Sequence, residues 1–239
     1  MSFKSSATTH VGMVRKVNED SFAERSDIGV WAVADGMGGH EAGEVASATI
    51  TDHIKELSPK RNLSDMIDSV KTCIHAANQH LILQTGSCDS QRVTGSTVVV
   101  LIIQGHKGAV VWAGDSRLYR KRMHAVELIT RDHSQAQDLI DQGVIAEGEA
   151  DSHPMANVIT RAVGVSDQLE LDMKTIDIDP DDQFLLCSDG LSRLVAQNEI
   201  QSMMSNNDHE EVVQSLLHTA LVRDAPDNVT LICVKNFSG

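Results

Sequence analysis

The sequence predicts an α+β fold, a four-layer αββα sandwich in which two antiparallel β-sheets pack face to face and helices cover their outer faces. Three observations carry this reading. Between residues 94 and 122, extended apolar runs at 97–103, 109–113 and 118–121 are joined by connections too short for crossover helices, so neighbouring strands must be antiparallel. The run Val98-Val99-Val100-Leu101-Ile102-Ile103 is apolar at every position, which requires burial on both faces. Segments of helical periodicity elsewhere in the chain supply amphipathic covers for sheets of that kind.

Taken in order, the chain has a polar start through residue 13. Arg15-Lys16-Val17-Asn18-Glu19-Asp20-Ser21-Phe22 mixes base and acid, and on its own reads as a solvated loop. Val30-Trp31-Ala32-Val33-Ala34 reads as a buried strand that stops at Asp35-Gly36-Met37-Gly38-Gly39-His40, a carboxylate followed by a glycine-rich turn. A helix over 41–57 follows, with Ala46, Ile50, Ile54 and Leu57 at helical spacing and Pro59 as its stop. A second helix covers 64–83, with Ser64 as N-cap, Asp65 and Asp68 in the first turn, and Ile67, Val70, Ile74, Ala77 and Leu81 on one face.

After the hairpins, residues 130–164 are polar, contain histidines and lack strong strands apart from one helix near 135–142, so they read as an excursion from the core. A strand over 169–178 leads through Asp179-Pro180-Asp181-Asp182 to the short buried strand Phe184-Leu185-Leu186-Cys187, which runs into Ser188-Asp189-Gly190. A helix over 198–204 has Ile200, Met203 and Met204 as core residues, and Asp208 with Glu211 forms a D-x-x-E capping pattern for a last helix through 221. Asp227-Asn228 precedes the closing strand at 229–234. Without repeats, low-complexity tracts or a linker, the expected organisation is one domain over 1–239.

Composition narrows the function classes. The 239 residues are 41% hydrophobic and 23% charged, ordinary for a globular chain, but only 3% aromatic, so the core must rest on Val, Ile, Leu, Ala and Met. A net charge of −14 and a pI near 5.1 argue against nucleic acid or an anionic membrane surface as partner, and an anionic substrate would need a local cationic site. Cys73, Cys88, Cys187 and Cys233 show no C-x-x-C spacing and read as reduced, buried hydrophobes rather than zinc ligands or disulfides. Residues 1–13 lack the apolar core of a signal peptide, and no run is long enough to span a bilayer, so the expected setting is the cytoplasm.

The chemistry lies in a recurring pattern. Apolar runs end in Asp beside Gly at Ala34-Asp35-Gly36, Gly114-Asp115 and Ser188-Asp189-Gly190, and Asp227 stands just before the final strand. Any one of these alone is turn chemistry. Strand-end acids converging on one rim of a sandwich would repel one another unless cations were bound, and hard oxygen donors without His or Cys companions favour Mg²⁺ or Mn²⁺ over Zn²⁺. Glycine at these junctions permits close backbone approach. The alternative of a calcium-stabilised binding module lacks the D-x-D-x-D-G spacing of an EF-hand.

These residues resemble, in order and over nearly the whole chain, the metal-dependent protein phosphatase family, the PPM or PP2C-like serine/threonine phosphatases, in its bacterial form. The matching pieces are Arg15-Lys16-Val17-Asn18-Glu19-Asp20, Asp35-Gly36-Met37-Gly38-Gly39-His40, Thr94-Gly95-Ser96-Thr97, Gly114-Asp115-Ser116-Arg117, Thr130-Arg131-Asp132-His133-Ser134, Ile159-Thr160-Arg161-Ala162-Val163-Gly164, Ser188-Asp189-Gly190-Leu191 and Asp227-Asn228-Val229-Thr230. The resemblance implies hydrolysis of phosphoserine and phosphothreonine by in-line attack of a hydroxide shared between two Mn²⁺ or Mg²⁺ ions, without a covalent enzyme intermediate. It implies that Asp35 bridges the two ions, that Gly36 offers a carbonyl to one, and that Asp189 and Asp227 hold the other. Glu19 and Asp20 then act through water. Asp115 with Asp189 matches a third, more exchangeable metal position, and Arg15 matches the arginine that grips the phosphate, which answers the need for a cationic site. It further implies a flap at 130–164 and, as partners, phosphorylated proteins and a cognate Ser/Thr kinase; a monomer is expected.

Animal relatives carry a His, assigned as general acid, where Met37 stands, so that role does not transfer. His40 reads as a helix-start residue rather than a substitute acid, and His133 as an organiser of the excursion. Two other functions compete: a catalytically silent phosphoprotein-binding scaffold on the same fold, and a phosphatase acting on regulators of sigma factors. The retained Arg15, Asp35, Asp189 and Asp227 argue against the first, and Arg15 argues against the second.

Overall fold

Successive residues of the apolar runs enter different cores. Val30, Ala32, Ala34, Val98, Val100 and Ile102 pack with Ile50, Ile54, Val70 and Ile74 of two helices, whereas Trp31, Val33, Val99, Leu101 and Ile103 pack against Phe184, Leu186, Ile232 and Val234 of a second sheet. Burial on both faces, rather than a parallel sheet, is what made these runs continuously apolar. The computed structural model describes residues 2–38, 41–85, 94–149, 154–155, 158–205 and 208–237; Gly39, His40 and Cys88 lie outside them.

The elements in order are β1 (Ser2–His10), β2 (Asp20–Arg25), β3 (Val30–Met37), α1 (Glu41–Lys55), α2 (Leu63–Thr85), β4 (Gly95–Ser96), β5 (Val98–Gln104), β6 (Lys107–Ala113), β7 (Arg117–Arg122), β8 (Ala125–Leu128), α3 (Gln135–Asp141), β9 (Asp172–Asp177), β10 (Gln183–Cys187), α4 (Asp189–Ser192), α5 (Gln197–Met204), α6 (His209–Val222) and β11 (Val229–Phe237). One sheet has the order β2-β3-β5-β6-β9, with β4 paired to β3, and the other β1-β11-β10-β7-β8. Every pairing is antiparallel. The α1 and α2 helices cover the first sheet. The short α4 and the helices α5 and α6 cover the second, where Leu191, Ile200, Met204, Val212 and Leu216 meet Leu185, Cys187 and Leu231. The layers are therefore αββα, as the hairpin argument requires.

Several local expectations change. The polar start is the edge strand β1, paired residue for residue with β11 from Ser2↔Phe237 to His10↔Val229. An edge strand can be held by its backbone ladder with few apolar side chains, and here Phe3 and Ala7 are the ones packed between the sheets. Part of the charged stretch read as a loop is the start of β2. Ser64 lies inside α2 rather than capping it: Asn62 accepts from the Asp65 N–H (2.9 Å) and its amide donates back to the Asp65 carboxylate (3.0 Å). Asp208 does cap α6, accepting from the Glu210 N–H at 2.8 Å. No helix among the described residues is long and apolar enough to cross a membrane.

Candidate active site

The two sheets present their acidic junctions at one end. Asp20 opens β2 and lies directly opposite Asp35 near the end of β3; Asp115 follows β6, Asp189 follows β10, and Asp227 precedes β11. A cavity of about 280 Å³ opens there, lined by Arg15, Glu19, Asp35, Gly36, Met37, Gly38, Thr97, Asp115, Ile159, Asp189, Arg193 and Asp227. A larger cavity, about 520 Å³, lies at the opposite end of the first sheet beside Ile28, Gly29 and Ile103, but it is lined by none of these junction acids. Chemistry rather than size therefore selects the site.

Asp35 is fixed through its backbone. The Thr97 N–H and the Ser96 hydroxyl donate to the Asp35 carbonyl (2.8 and 2.9 Å), and the Asp35 N–H donates to the Thr97 hydroxyl (3.1 Å). Thr97 is tied in turn to Ser116, its hydroxyl 2.7 Å away, which links Asp35 to the residue after Asp115. Gly36 donates its N–H to the Glu19 carbonyl at 3.0 Å. A Cβ on Gly36 would sit 2.1 Å from the Gly43 carbonyl oxygen, so the glycine also lets the first turn of α1 reach the site.

Glu19 and Asp20 differ in placement. Glu19 lines the cavity, while Asp20 is buried beneath it, where its carboxylate accepts from the Ser188 hydroxyl at 2.8 Å. One oxygen of each, Glu19 Oε1 and Asp20 Oδ1, is buried without a hydrogen-bond partner. Burial, followed by the charges of Asp189 and Asp227, pushes the Asp20 carboxyl up to about 7 against the Ser188 and Thr230 hydrogen bonds. Burial also pushes Asp35 well above the usual carboxylate range, with Asp20, Asp189, Asp115 and Asp227 adding to the effect. Asp115 rises to about 7 through burial and the charge of Asp189, with Arg193 opposing. Asp189 is raised by burial as well, against Arg193, and shares a side-chain hydrogen bond with Asp35. Such a set of acids, held together by the fold, carries charge that the described residues around it do not fully neutralise.

Two arginines partly answer it. Arg15 donates to Asp227 at 2.8 Å and remains half exposed, while Arg193 contacts both Asp115 (3.0 Å) and Asp189 (2.8 Å). Among the described residues, no group of three or more His, Cys, Asp or Glu side chains is already gathered as a coordination shell. The donor set nonetheless fits hard divalent cations. It is all oxygen, it includes two unpartnered buried carboxylate oxygens, and its ionised form is strongly disfavoured without added positive charge.

Three residues around the site carry roles that the sequence reading did not give them. Asn228 donates to the Val11 and Val17 carbonyls (2.8 and 3.0 Å) and accepts the Glu19 N–H (2.8 Å), clamping the loop that carries Arg15. Gly43 lies against Glu19, and a Cβ there would come within 2.5 Å of Oε1. Arg193, four residues after Asp189 on a helical turn, was legible only as an i, i+4 pair. His133 does organise the start of the excursion: its Nδ1 accepts from the Gly114 N–H (3.1 Å), its ring stacks on Trp112, and Nε2 lies 3.3 Å from Asp172. Arg117 grips Asp132 with Nη2 at 2.7 Å, joining two of the sequence motifs.

Comparison with known proteins is consistent across sequence and structure. Residues 13–229 match the family described as Protein phosphatase 2C. The chain is 30% identical over 235 residues to the serine/threonine phosphatase stp of Listeria monocytogenes, covering 95% of this chain and 93% of that protein. Among solved structures it is similar to PppA, described as a key regulatory component of T6SS in Pseudomonas aeruginosa, with a TM-score of 0.93, 41% identity and 99% coverage of both chains. It is also similar to the catalytic domain of the serine/threonine protein phosphatase PstP in complex with two manganese ions, with a TM-score of 0.87, 30% identity and coverage of 98% and 97%.

Proposed function

The chain belongs to the protein phosphatase 2C family and is a metal-dependent protein serine/threonine phosphatase, and from that premise we propose how its own residues divide the work. The observation that carries the reading is the convergence of Asp35, Asp115, Asp189 and Asp227 on one cavity beside Arg15, where burial raises the Asp35 and Asp189 carboxyls above the usual carboxylate range. Asp35, the Gly36 carbonyl, Asp189 and Asp227 would hold the two ions, with Asp35 shared between them. Glu19 and Asp20 support the set from behind through water. Mn²⁺ and Mg²⁺ both suit these donors.

A pair of such ions supplies an acidified water as nucleophile for phosphorus and offsets the charge of the carboxylates. The remaining work falls to the chain. Ser96 and Thr97 hold the Asp35 backbone, so that the carboxylate is positioned before substrate arrives. Arg15 pairs with Asp227 yet is half exposed at the cavity mouth, where its planar fork can take two oxygens of a phosphoserine or phosphothreonine and stabilise the charge that spreads over them in the transition state. Met37 lines the cavity and has no proton to give, so the leaving alkoxide is assigned its proton from water. The described part of the 130–164 excursion is assigned as a flap beside this cavity, with Ile159 at its wall. The substrates are phosphorylated proteins, and a cognate Ser/Thr kinase is assigned as the opposing enzyme.

Hydrolysis of a phosphothreonine peptide with Mn²⁺, with and without chelator, tests the assignment in wild type and Asp35→Asn. Loss of turnover in both perturbed cases is expected. Full activity in chelator or an unimpaired variant would refute it, and phosphopeptide binding without turnover in the wild type would indicate the silent scaffold.

A further inference from the structure

We propose that Arg193 fills, with its own guanidinium, the position between Asp115 and Asp189 that a third divalent ion would otherwise take, so that this active site holds two ions and not three. The inference rests on the two-ion reading above and concerns what happens beside it.

The sequence matched Asp115 and Asp189 to a third-metal position, and in the structure those two carboxylates are joined by one guanidinium nitrogen, at 3.0 Å from Asp115 Oδ2 and 2.8 Å from Asp189 Oδ2. Arg193 is tethered. It closes the turn of α4 that begins at Asp189, donating its backbone N–H to the Asp189 carbonyl at 3.0 Å, and the i, i+4 spacing brings its side chain back over that carboxylate. Asp115 is equally constrained. Gly114 exchanges hydrogen bonds with His133 on one side, and Ser116 is bound to Thr97 on the other.

A guanidinium is more weakly hydrated than an ammonium or a small divalent ion, so it occupies a largely buried carboxylate seam at low desolvation cost. A divalent ion entering the seam would have to shed water, displace the guanidinium and leave a second cation close by. Arg193 also lines the cavity, so its charge is presented to the site itself and not to a remote surface. The position sometimes served by an exchangeable ion is thereby given a fixed charge that does not depend on metal supply.

Titration of stripped protein with Mn²⁺, followed by the EPR signal of the free ion, measures the count directly. Wild type is expected to bind two ions and Arg193→Lys, which keeps the charge, two as well. Arg193→Gln should gain a third site at least about tenfold tighter than any third binding in wild type, since a competing unit charge is removed. A wild-type count of three, or a count of two in Arg193→Gln, would overturn the proposal. Asp115→Asn in the otherwise native chain gives an independent check: its count stays at two under the proposal and falls from three to two if the seam holds an ion. Asp35→Asn separates this idea from the premise, because a variant that binds Mn²⁺ like wild type would remove the two-ion reading itself.

Discussion

Asp20→Asn should make the metal-free protein more stable while damaging the enzyme. Asp20 faces Asp35 across the β2–β3 pair, Asp20 being buried while Asp35 lines the cavity, and burial with neighbouring acids lifts the Asp20 carboxyl from 3.8 to about 7. A carboxyl raised in this way binds a proton in the folded chain that the unfolded chain has already released. Folding stability therefore falls as pH rises from about 4 to about 7, and the full penalty applies above that window. At about 1.4 kcal/mol per pH unit, the shift sets a ceiling of roughly 4 kcal/mol. An amide forfeits part of the hydrogen bonding from Ser188 and Thr230, about 1 kcal/mol for each, which leaves a net gain of about 1–2 kcal/mol near pH 7.5. For a chain of this size that corresponds to a rise of roughly 3–6 °C in Tm. Thermal unfolding in EDTA across pH 5 to 8 reads it: the gap between variant and wild type should widen with pH, then shrink or reverse in Mn²⁺, where bound cations reward the native carboxylate. A variant that melts below wild type in EDTA at pH 7.5, or a gap that ignores pH, would refute the account of the cluster as uncompensated charge.

Gly43→Ala should lose activity and about 1–3 kcal/mol of stability, since its Cβ would press on Glu19 Oε1 and the Gly36 carbonyl carbon at 2.5 and 2.9 Å; chemical denaturation and peptide hydrolysis together check this. Burial holds the His133 imidazole below its ordinary value, against the Asp172 carboxylate, so the ring is neutral in the folded chain at pH 7 while the unfolded chain charges it first. Its contribution is thus present above about pH 6.5 and is lost as pH falls towards the lowered native value, and the wild-type decline in urea stability from pH 7.5 to 5.5 should be shallower in His133→Gln.

The parts that were legible from sequence are those in which one residue type has one physical use. The continuous run 98–103 required two buried faces, and short connections required antiparallel pairing, so the layered fold followed without knowledge of any contact. Asp35, Asp115, Asp189 and Asp227 stood out because an acid at the end of a buried strand has no packing role. Strand β1 stayed hidden because its partner β11 supplies a backbone ladder to a stretch with little apolar signal. Asn228 stayed hidden for a different reason: its three hydrogen bonds reach Val11, Val17 and Glu19, more than 200 residues away, and no local pattern encodes such a span.

The same distance explains how an acidic chain builds a site for an anionic substrate. Arg15 arrives on a loop that Asn228 fastens beside Asp227, and Gly12, with φ +82°, passes so close to the Asp227 carbonyl that a Cβ there would lie 2.2 Å from it. The turn at Asp189 approaches the same point from α4, where Gly190 would clash with the Asn228 carbonyl at 1.9 Å if it bore a Cβ. The N-terminal loop, the β10–α4 junction and the lead into β11 are thus locked together by close backbone contact rather than by apolar burial. That arrangement leaves Asp35, Asp115, Asp189 and Asp227 lining the cavity. It also places the cost of the site in electrostatics, where an added cation can remove it, instead of in packing, where nothing could.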